Sequence, residues 1–409
     1  NHDFNGADPG DVTLTANLAE GAAAIGGDVG AGSVANPAVQ VLVPITLTPT
    51  NDPPTVTAGA GSVAIGVGGV AIPVTGFTVD DVDYSDGGSP DSTTGELDFV
   101  QVIVRIADNS GVPLAASAYA GTTTVQGGVL VVQSASALGT TAGGSTVNDT
   151  ARLELSGGIT VSGEALTITG QGGNFAGALQ SSSGDNAWDG AITLGNNNTR
   201  IGAQDGTTLR VGGVIGSGAN VYDLNVRAAD GGTSVIVLSG ANTYLGATNV
   251  IVGTLLLDGG DNRLPVGSRL TLGNGANIST ATFDLNGFDQ TVNGLLGQGT
   301  SMALTVTNSS ATASTLTIQS GANLAYRGLI SGDLSLVKNG AGTQTLSGNN
   351  TYTGDTTVLG GTLALSGAYA NNIATSPRIE LASAGVLDVT GLNGGKLVLA
   401  SGQTLAGTG

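Results

Sequence analysis

The hydrophobic pattern changes near residue 122, where short aliphatic runs begin to alternate with glycines and polar residues. Runs such as Val129–Val132 and Thr362–Leu365 contain only a few residues each. They have the length and composition of short strands, and they are too short for buried helices. A strand this short cannot bury its apolar side alone, so it needs similar strands above and below it. The pattern therefore predicts an all-β solenoid over residues 122–409.

A long internal repeat supports the solenoid prediction. Residues 346–368 align without gaps to residues 238–260, and fourteen of the 23 positions are identical, including an Asn-Thr-Tyr-x-Gly core. Self-similarity of this kind indicates a structural unit that stacks on copies of itself, at roughly 20 to 25 residues per coil and about 12 to 14 coils here. We expect the shared tripeptide to form a turn and to stack in register between coils. Its two copies are Asn242, Thr243 and Tyr244, and Asn350, Thr351 and Tyr352.

The repeated segment resembles the passenger-associated transport repeat of Gram-negative autotransporters and related giant surface proteins. The resemblance lies in Leu346–Gly348, Asn350–Gly354, Thr356–Val358 and Gly361–Leu363. It implies a right-handed parallel β-helix that serves as a secreted or surface-displayed stalk, often in an adhesin. It also implies an extracellular or cell-surface location in a Gram-negative bacterium.

The first 121 residues have a different pattern, with longer alternating runs such as Val39–Thr48 and Phe99–Ile106. Runs of this type between Gly/Pro turns predict Ig-like β-sandwich modules. The segments Asp3–Asp8 and Asn51–Val56 resemble a motif and a linker of bacterial cadherin-like repeats. We therefore predict the end of one cadherin-like module at residues 1–53 and a second Ig/cadherin-like module at residues 54–121.

Composition and charge narrow the possible functions. Seventy glycines and 3% aromatic residues fit a narrow aliphatic solenoid core better than an ordinary globular enzyme. The net charge of −19 excludes nucleic acid as a partner, because that partner requires clustered basic residues. The chain has no cysteine, and it has no apolar run near the roughly 20 residues that span a bilayer. It begins and ends in a way that suggests a processed product or a fragment.

The acidic residues concentrate near the predicted second module and suggest a calcium site. Clustered carboxylates at a module junction can supply the six to eight oxygen ligands that calcium takes. Arg105 is the only lysine or arginine among the first 110 residues, so this many carboxylates would otherwise repel one another. The alternative is a solvated acidic loop. The predicted calcium ligands are Asp80, Asp81, Asp83, Asp86, Asp52 and Asp108.

A catalytic β-helix is the less favoured alternative. Polysaccharide-degrading enzymes place acidic residues on one face, and the nearest such group comprises Asp185, Asp189 and Asp205, beside Trp188 and Arg200. We expect these aspartates to occupy turns and Trp188 to pack in the interior. His2 is the only histidine, so histidine-based triads and metal clusters lack their residues.

The sequence therefore predicts a non-catalytic adhesive stalk within a large secreted or surface-anchored protein. Such a stalk would bind a surface polysaccharide or a protein of a host or neighbouring cell, or would hold cells in a matrix as in a biofilm. An alternative is a subunit of an extracellular filament or surface layer that forms by strand pairing between chains.

Overall fold

The computed structural model describes residues 122–228, 234–273, 280–299 and 303–407, and the backbone of six short strands between residues 15 and 80. These strands form three antiparallel pairs, β1 with β5, β2 with β4 and β3 with β6. Two of these pairs, β1 with β5 and β2 with β4, join strands from opposite sides of residue 53. The predicted boundary between two modules near that residue stays a prediction. Otherwise the predicted sandwich modules lie outside the described residues. The bounds are β1 (Thr15–Ala16), β2 (Val39–Val41), β3 (Thr55–Ala58), β4 (Val63–Ile65), β5 (Ile72–Pro73) and β6 (Phe77–Asp80).

From residue 122 the chain winds into a parallel β-solenoid of about 12 turns. Each full turn passes through three sheets, which we name face A, face B and face C in the order in which the chain meets them. Helix is almost absent from the described residues, where we note only a short 3-10 turn at Gly173–Phe175. The predicted all-β parallel solenoid is confirmed, and its handedness stays a prediction.

The strands are short, as the glycine-bounded runs predict. Face A contains β7 (Thr123–Val125), β9 (Ser145–Val147), β12 (Leu166–Ile168), β15 (Ile192–Leu194), β18 (Ile215–Gly216), β24 (Gln290–Val292), β27 (Ser314–Gln319), β30 (Leu334–Asn339) and β34 (Thr404–Gly407). Face B contains β8 (Val129–Val132), β10 (Arg152–Ser156), β13 (Leu179–Ser183), β16 (Arg200–Ala203), β19 (Leu224–Ala228), β22 (Leu270–Leu272), β25 (Leu295–Gly297), β28 (Leu324–Tyr326) and β31 (Thr343–Leu346). Face C contains β11 (Thr160–Val161), β14 (Asp185–Trp188), β17 (Thr208–Val211), β20 (Val235–Leu238), β23 (Thr280–Asp284), β26 (Ala303–Asn308) and β29 (Leu329–Gly332).

Three longer strands bend at a corner and serve two faces. Strand β21 (Thr248–Leu257) runs from face B into face C, because its first half pairs with β19 and β22 and its second half with β20 and β23. Strands β32 (Thr356–Ser366) and β33 (Arg378–Gly391) run from face A into face B. At each of these corners the two neighbouring short runs therefore belong to one continuous, bent strand.

Face A continues through two turns in which it has no regular strand. The backbone N–H of Thr243 donates to the carbonyl of Ile215 at 2.8 Å, and the N–H of Asn262 donates to the carbonyl of Asp289 at 2.8 Å. Between these points the N–H of Asn242 donates to the carbonyl of Arg263. These bonds link β18 to β24 coil by coil, so the solenoid is not divided at this point.

Alternation along each strand sends apolar side chains inward. In β9, Ser145 and Val147 are buried while Thr146 points outward, and the strand above it repeats this pattern. The inward residues of all coils form one continuous hydrophobic cluster from Val125 to Leu392. The cluster is mainly Leu, Ile and Val, as expected for a narrow interior. Five aromatic side chains are also fully buried in it, namely Trp188, Tyr244, Phe283, Tyr326 and Tyr352.

Buried amides replace missing backbone partners where strands are interrupted. Gln290 accepts a hydrogen bond from the N–H of Leu264 at 3.0 Å and donates one to its carbonyl at 3.1 Å. Gln344 bonds to both backbone groups of Leu295 in the same way, at 3.2 and 2.9 Å. An unpaired backbone group in this interior would cost about 1–3 kcal/mol. Gln290 therefore stabilises a coil that has no regular strand on face A, and Gln344 bridges strands β25 and β31 on face B.

Corner glycines adopt backbone angles that favour glycine. Gly253, at the bend of β21, has φ of 85°, and an added Cβ would lie 2.2 Å from the Cβ of Ala228. Gly361 occupies the corresponding bend of β32 with φ of 63°. A left-handed conformation is strained for residues that carry a Cβ. Glycine is therefore favoured at these two positions both by the backbone conformation and by the lack of space for a Cβ.

We predict that Gly253→Ala lowers the free energy of unfolding by about 2–4 kcal/mol, because it adds backbone strain to a steric overlap. The matched control is Gly267→Ala, at an exposed turn where an added Cβ meets no atom within 4 Å. We expect the control to change stability by less than about 0.5 kcal/mol. Urea unfolding followed by far-ultraviolet circular dichroism measures both. Equal stabilities for the two variants would contradict this description of the corners.

Candidate functional site

The first complete copy of the repeat forms a chain of buried hydroxyl groups inside the solenoid. The Tyr244 hydroxyl lies 2.5 Å from Oγ1 of Thr248, which lies 3.0 Å from Oγ of Ser268 in the next coil. Tyr244 and Thr248 are fully buried. This series of hydroxyl groups therefore connects a corner to the strand that follows it and to the coil above.

The second copy reproduces this geometry with different residues. The Tyr352 hydroxyl lies 2.6 Å from Oγ1 of Thr356, which lies 2.9 Å from Oγ of Ser376. All three side chains are fully buried. Burial raises the pKa of the Tyr352 hydroxyl well above its ordinary value of 10.0, as it does for Tyr244. Both hydroxyls therefore remain protonated at physiological pH.

The asparagine of each copy links its coil to the coil below. Oδ1 of Asn242 accepts a hydrogen bond from the N–H of Ile215 at 2.8 Å, and Oδ1 of Asn350 accepts one from the N–H of Ile330 at 3.0 Å. Both asparagines are more than nine-tenths buried. The Asn and Tyr of each copy are thus structural, and within the two tripeptides only Thr243 and Thr351 face solvent.

The two copies do not lie over one another, and this part of the prediction is wrong. Tyr244 precedes the half of β21 that belongs to face B, whereas Tyr352 precedes the half of β32 that belongs to face A. The chain spacing of 108 residues between them therefore does not correspond to a whole number of turns. The unit is compatible with more than one corner because each corner connects two similar short strands.

A buried lysine lies just upstream of the second copy. Lys338 is fully buried, and its Nζ donates to the carbonyls of Asn339 at 2.7 Å, Gly340 at 2.8 Å and Gly360 at 3.2 Å. Burial lowers the pKa of this amine below its usual range. The three carbonyls supply all the acceptors that an ammonium group needs. Lys338 thus links β30 to the corner of β32.

The candidate catalytic residues are divided between two corners, face B and the interior. Trp188 is fully buried in the core, so its ring cannot stack on a sugar. Asp185 and Asp205 are exposed near the corner that leads into face C, and Asp189 follows β14 at the next corner. Arg200 lies on face B. Asp205 lies in a turn, Asp189 lies outside a strand and Trp188 packs in the interior, as expected, whereas Asp185 is the first residue of strand β14.

The predicted calcium ligands are not among the described side chains. Asp80 ends strand β6, and the other five aspartates lie outside the described residues. Within the described part of the chain, no group of three or more His, Cys, Asp or Glu side chains could hold a metal ion. The calcium site therefore stays a prediction.

A loop on face B carries the most distinctive surface feature, which the sequence analysis missed. We call residues 171–177, between β12 and β13, the face-B loop. The N–H of Gly177 donates to the carbonyl of Gln171 at 2.8 Å and closes the loop. The loop lies flat on the sheet, because an added Cβ on Gly202 would lie 1.8 Å from the carbonyl oxygen of Ala176. Its apex exposes 61% of Phe175.

Three arginines from strands β10, β16 and β19 hold this loop. Nη1 of Arg152 donates to the carbonyl of Gly173 at 2.7 Å. Nη1 of Arg200 donates to the carbonyl of Phe175 at 2.5 Å, and Nη1 of Arg227 donates to the same carbonyl at 3.3 Å. Burial, with a smaller contribution from nearby Arg227, lowers the pKa of Arg200 to about 10. The arginines lie far apart in sequence, and only their shared sheet suggests that they meet.

Comparison with known proteins identifies the repeat. The passenger-associated transport repeat family matches residues 114–132, 231–257 and 336–365. The last two matches contain most of the two copies described above, and the first ends in β8. Residues 114–121 of the first match lie outside the described residues.

A 145-residue segment of the chain is 39% identical to a protein named "Adhesin BmaC autotransporter" from Brucella suis biovar 1 (strain 1330). The match covers 35% of this chain and only 4% of that relative. No solved structure matches the chain. Among the described residues, no helix has the length and apolarity needed to cross a membrane. Together the repeats and the relative support an autotransporter passenger β-helix.

The hydroxyl chain predicts a graded response to substitution. Thr356→Val removes the central hydroxyl, so the buried hydroxyls of Tyr352 and Ser376 each lose a hydrogen-bond partner. We therefore expect the free energy of unfolding to fall by about 2–4 kcal/mol. Tyr352→Phe leaves the Thr356–Ser376 bond intact and should cost about 1 kcal/mol. Tyr369→Phe, at a side chain that is 39% exposed, is the control and should be nearly neutral. Urea unfolding of the three variants tests this order, and a neutral Thr356→Val would refute it.

Proposed function

We propose that this chain is a non-catalytic rod segment of a passenger that is displayed on, or released from, the surface of a Gram-negative bacterium. The observation that carries the proposal is the uninterrupted stack of about 12 solenoid turns, joined by one continuous core. At about 4.8 Å per stacked strand, the stack is roughly 60 Å long. A backbone ladder of this kind gives length and stiffness, which a stalk needs.

An adhesive role is the function that the comparisons favour. The relative is named an adhesin, and the repeats shared with the passenger family recur along this chain. The partner would be a surface polysaccharide or a protein on a host or neighbouring cell, and matrix attachment would follow from either. Non-enzymatic action agrees with the burial of Trp188 and with the position of Asp189 at a different corner from Asp185 and Asp205.

Adhesion can be tested with beads that carry the 409-residue chain. Coated beads should attach to cultured mammalian cells several times better than albumin-coated beads. Beads with the heat-unfolded chain should lose this advantage, because the surface depends on the folded stack. Attachment no better than that of albumin would overturn the adhesive role. Clumping of coated beads with one another, without attachment to cells, would favour the filament alternative instead.

For residues 1–121 we propose two cadherin-like modules, divided near residue 53, that calcium stiffens through Asp80, Asp81, Asp83, Asp86, Asp52 and Asp108. The proposal relies on the net charge of −13 in the first 110 residues, from fourteen acids and one arginine. Carboxylates at this density repel one another unless a cation binds.

Calcium binding predicts a calcium-dependent melting transition. In a thermal melt of the full chain, millimolar calcium should raise the transition of the acidic region by several degrees relative to excess chelator. Magnesium at equal concentration is the control and should act more weakly, because it prefers a smaller octahedral site. Superimposable melts in calcium and chelator would refute the proposal.

A further inference from the structure

The first described coil has no strand on face C. Residues 133–144, which we call the first-coil loop, take that place between β8 and β9. The coil above has β11 on face C and turns into β12 at the corner formed by residues 162–165. Because the first-coil loop has no parallel ladder on this face, its attachment depends on contacts at the corner above it.

This corner lies directly on the end of the first-coil loop. The backbone N–H of Ser145 donates to the carbonyl of Ala165 at 2.7 Å. An added Cβ on Gly163 would lie 3.2 Å from Cγ2 of Thr141, so the two segments are in close contact. The Ser145 hydroxyl also donates to Oε1 of Glu164 at 2.9 Å. Glu164 therefore adds a side-chain hydrogen bond to the backbone contact at this junction.

The Glu164 side chain is buried at the junction. Only 4% of Glu164 is exposed, and the same holds for Ser145. The backbone of Gly190 lies over that of Glu164, because an added Cβ on Gly190 would lie 1.8 Å from the Glu164 carbonyl oxygen. An ionised carboxylate is costly to bury unless a cation compensates it. Burial raises the pKa of Glu164 above its ordinary value of 4.5, and the Ser145 hydrogen bond offsets part of this rise.

Within the described residues, no cation lies beside Glu164. Residues 122–209 contain two basic residues, Arg152 and Arg200. Both lie on face B and donate to carbonyls of the face-B loop, whereas Glu164 lies at the corner between faces C and A. The next basic residue, Arg210, lies two coils above on face C, where it faces Asp258 at 3.7 Å.

The elements packed around Glu164 also bring no positive charge. Residues 133–147 below it and residues 157–168 beside it contain no other charged side chain. The corner above contributes Asp189, whose Oδ1 would lie 2.4 Å from an added Cβ on Gly212 in the following coil. Ionisation of Glu164 therefore places a buried negative charge at this junction without a compensating positive charge.

We propose that Glu164 is an acid-responsive latch between the first two described coils. When its carboxyl group is neutral, it joins β9 and the end of the first-coil loop to the corner above. When it is ionised, the buried charge weakens this junction, and the first-coil loop opens locally more often. Acidification thus tightens the rod at the coil that follows residues 1–121.

Proton linkage gives the direction of this response. Burial raises the pKa of Glu164 only while the junction is closed, so the closed junction keeps its proton at pH values at which the open junction has released it. The closed form is therefore favoured most below pH 4.5, the ordinary pKa of the group. It loses this advantage as the pH rises through the raised pKa.

Hydrogen–deuterium exchange of the full chain, measured by mass spectrometry between pH 5 and pH 8, tests the latch. Wild type is compared at each pH with Glu164→Gln, which keeps an acceptor for the Ser145 hydroxyl and carries no charge. At pH 8, residues 139–168 should exchange at least about threefold faster in wild type than in the variant. At pH 5 the two proteins should exchange alike in this segment.

Two controls accompany this comparison. Residues 303–326 contain no Asp, Glu, His, Lys or Arg, and they should exchange alike in both proteins at every pH. The matched control variant is Glu380→Gln, because the Glu380 side chain is 43% exposed and lies 3.2 Å from Arg378. It should leave the exchange of residues 139–168 unchanged.

The latch would be overturned by equal exchange of residues 139–168 in wild type and Glu164→Gln at pH 8. An equal difference at pH 5 and pH 8, or an equal change in Glu380→Gln, would also overturn it, because neither depends on the ionisation of Glu164. If Glu164→Gln does not fold, wild type alone decides. After correction for intrinsic exchange rates, the protection of residues 139–168 should fall between pH 5 and pH 8 relative to that of residues 303–326, and constant relative protection would refute the latch.

Discussion

The structure depends on parallel hydrogen bonding between successive coils. Most strands contain between two and six residues, and strands this short are not stable alone. Each is held by the coil below and the coil above, and the inward side chains stack into one cluster. Stability is therefore a property of the stack, as in other repeat proteins where neighbouring units supply the interface energy. A rod rather than a globule is the direct consequence.

At the corners of the solenoid, backbone groups that leave the sheet ladder find other hydrogen-bond partners. Three faces require three changes of direction per turn, and each change removes backbone groups from the ladder. Glycines at positive φ make the sharpest bends, as at Gly253 and Gly361. Buried Asn, Gln, Thr and Ser side chains then replace the lost partners, and the tyrosine hydroxyls join these networks. The passenger repeat is thus a corner unit, and its recurrence on different faces follows from the similarity of the corners.

The sequence was sufficient to predict the solenoid, because glycine-bounded aliphatic runs and a long internal repeat are local signals. It was also sufficient to assign Trp188 to the interior. It could not predict that Tyr244 and Tyr352 precede strands of different faces, since the number of residues per turn varies with corner length. Nor did it predict the cluster of Arg152, Arg200 and Arg227 at the face-B loop, because that contact depends on strand register. Register is a property of the assembled stack, and no single strand encodes it.

The most direct test of the account is a set of spin-label distances along face A. The chain lacks cysteine, so labels can be placed in pairs on outward threonines without a background signal. With one label at Thr146 and the second at Thr193, Thr317 or Thr357, the positions are separated by two, seven and nine turns. Pulsed electron resonance should give distances that grow by about 4.8 Å per turn, reaching roughly 43 Å for the last pair. Distances that fail to increase in this order would contradict a single continuous solenoid.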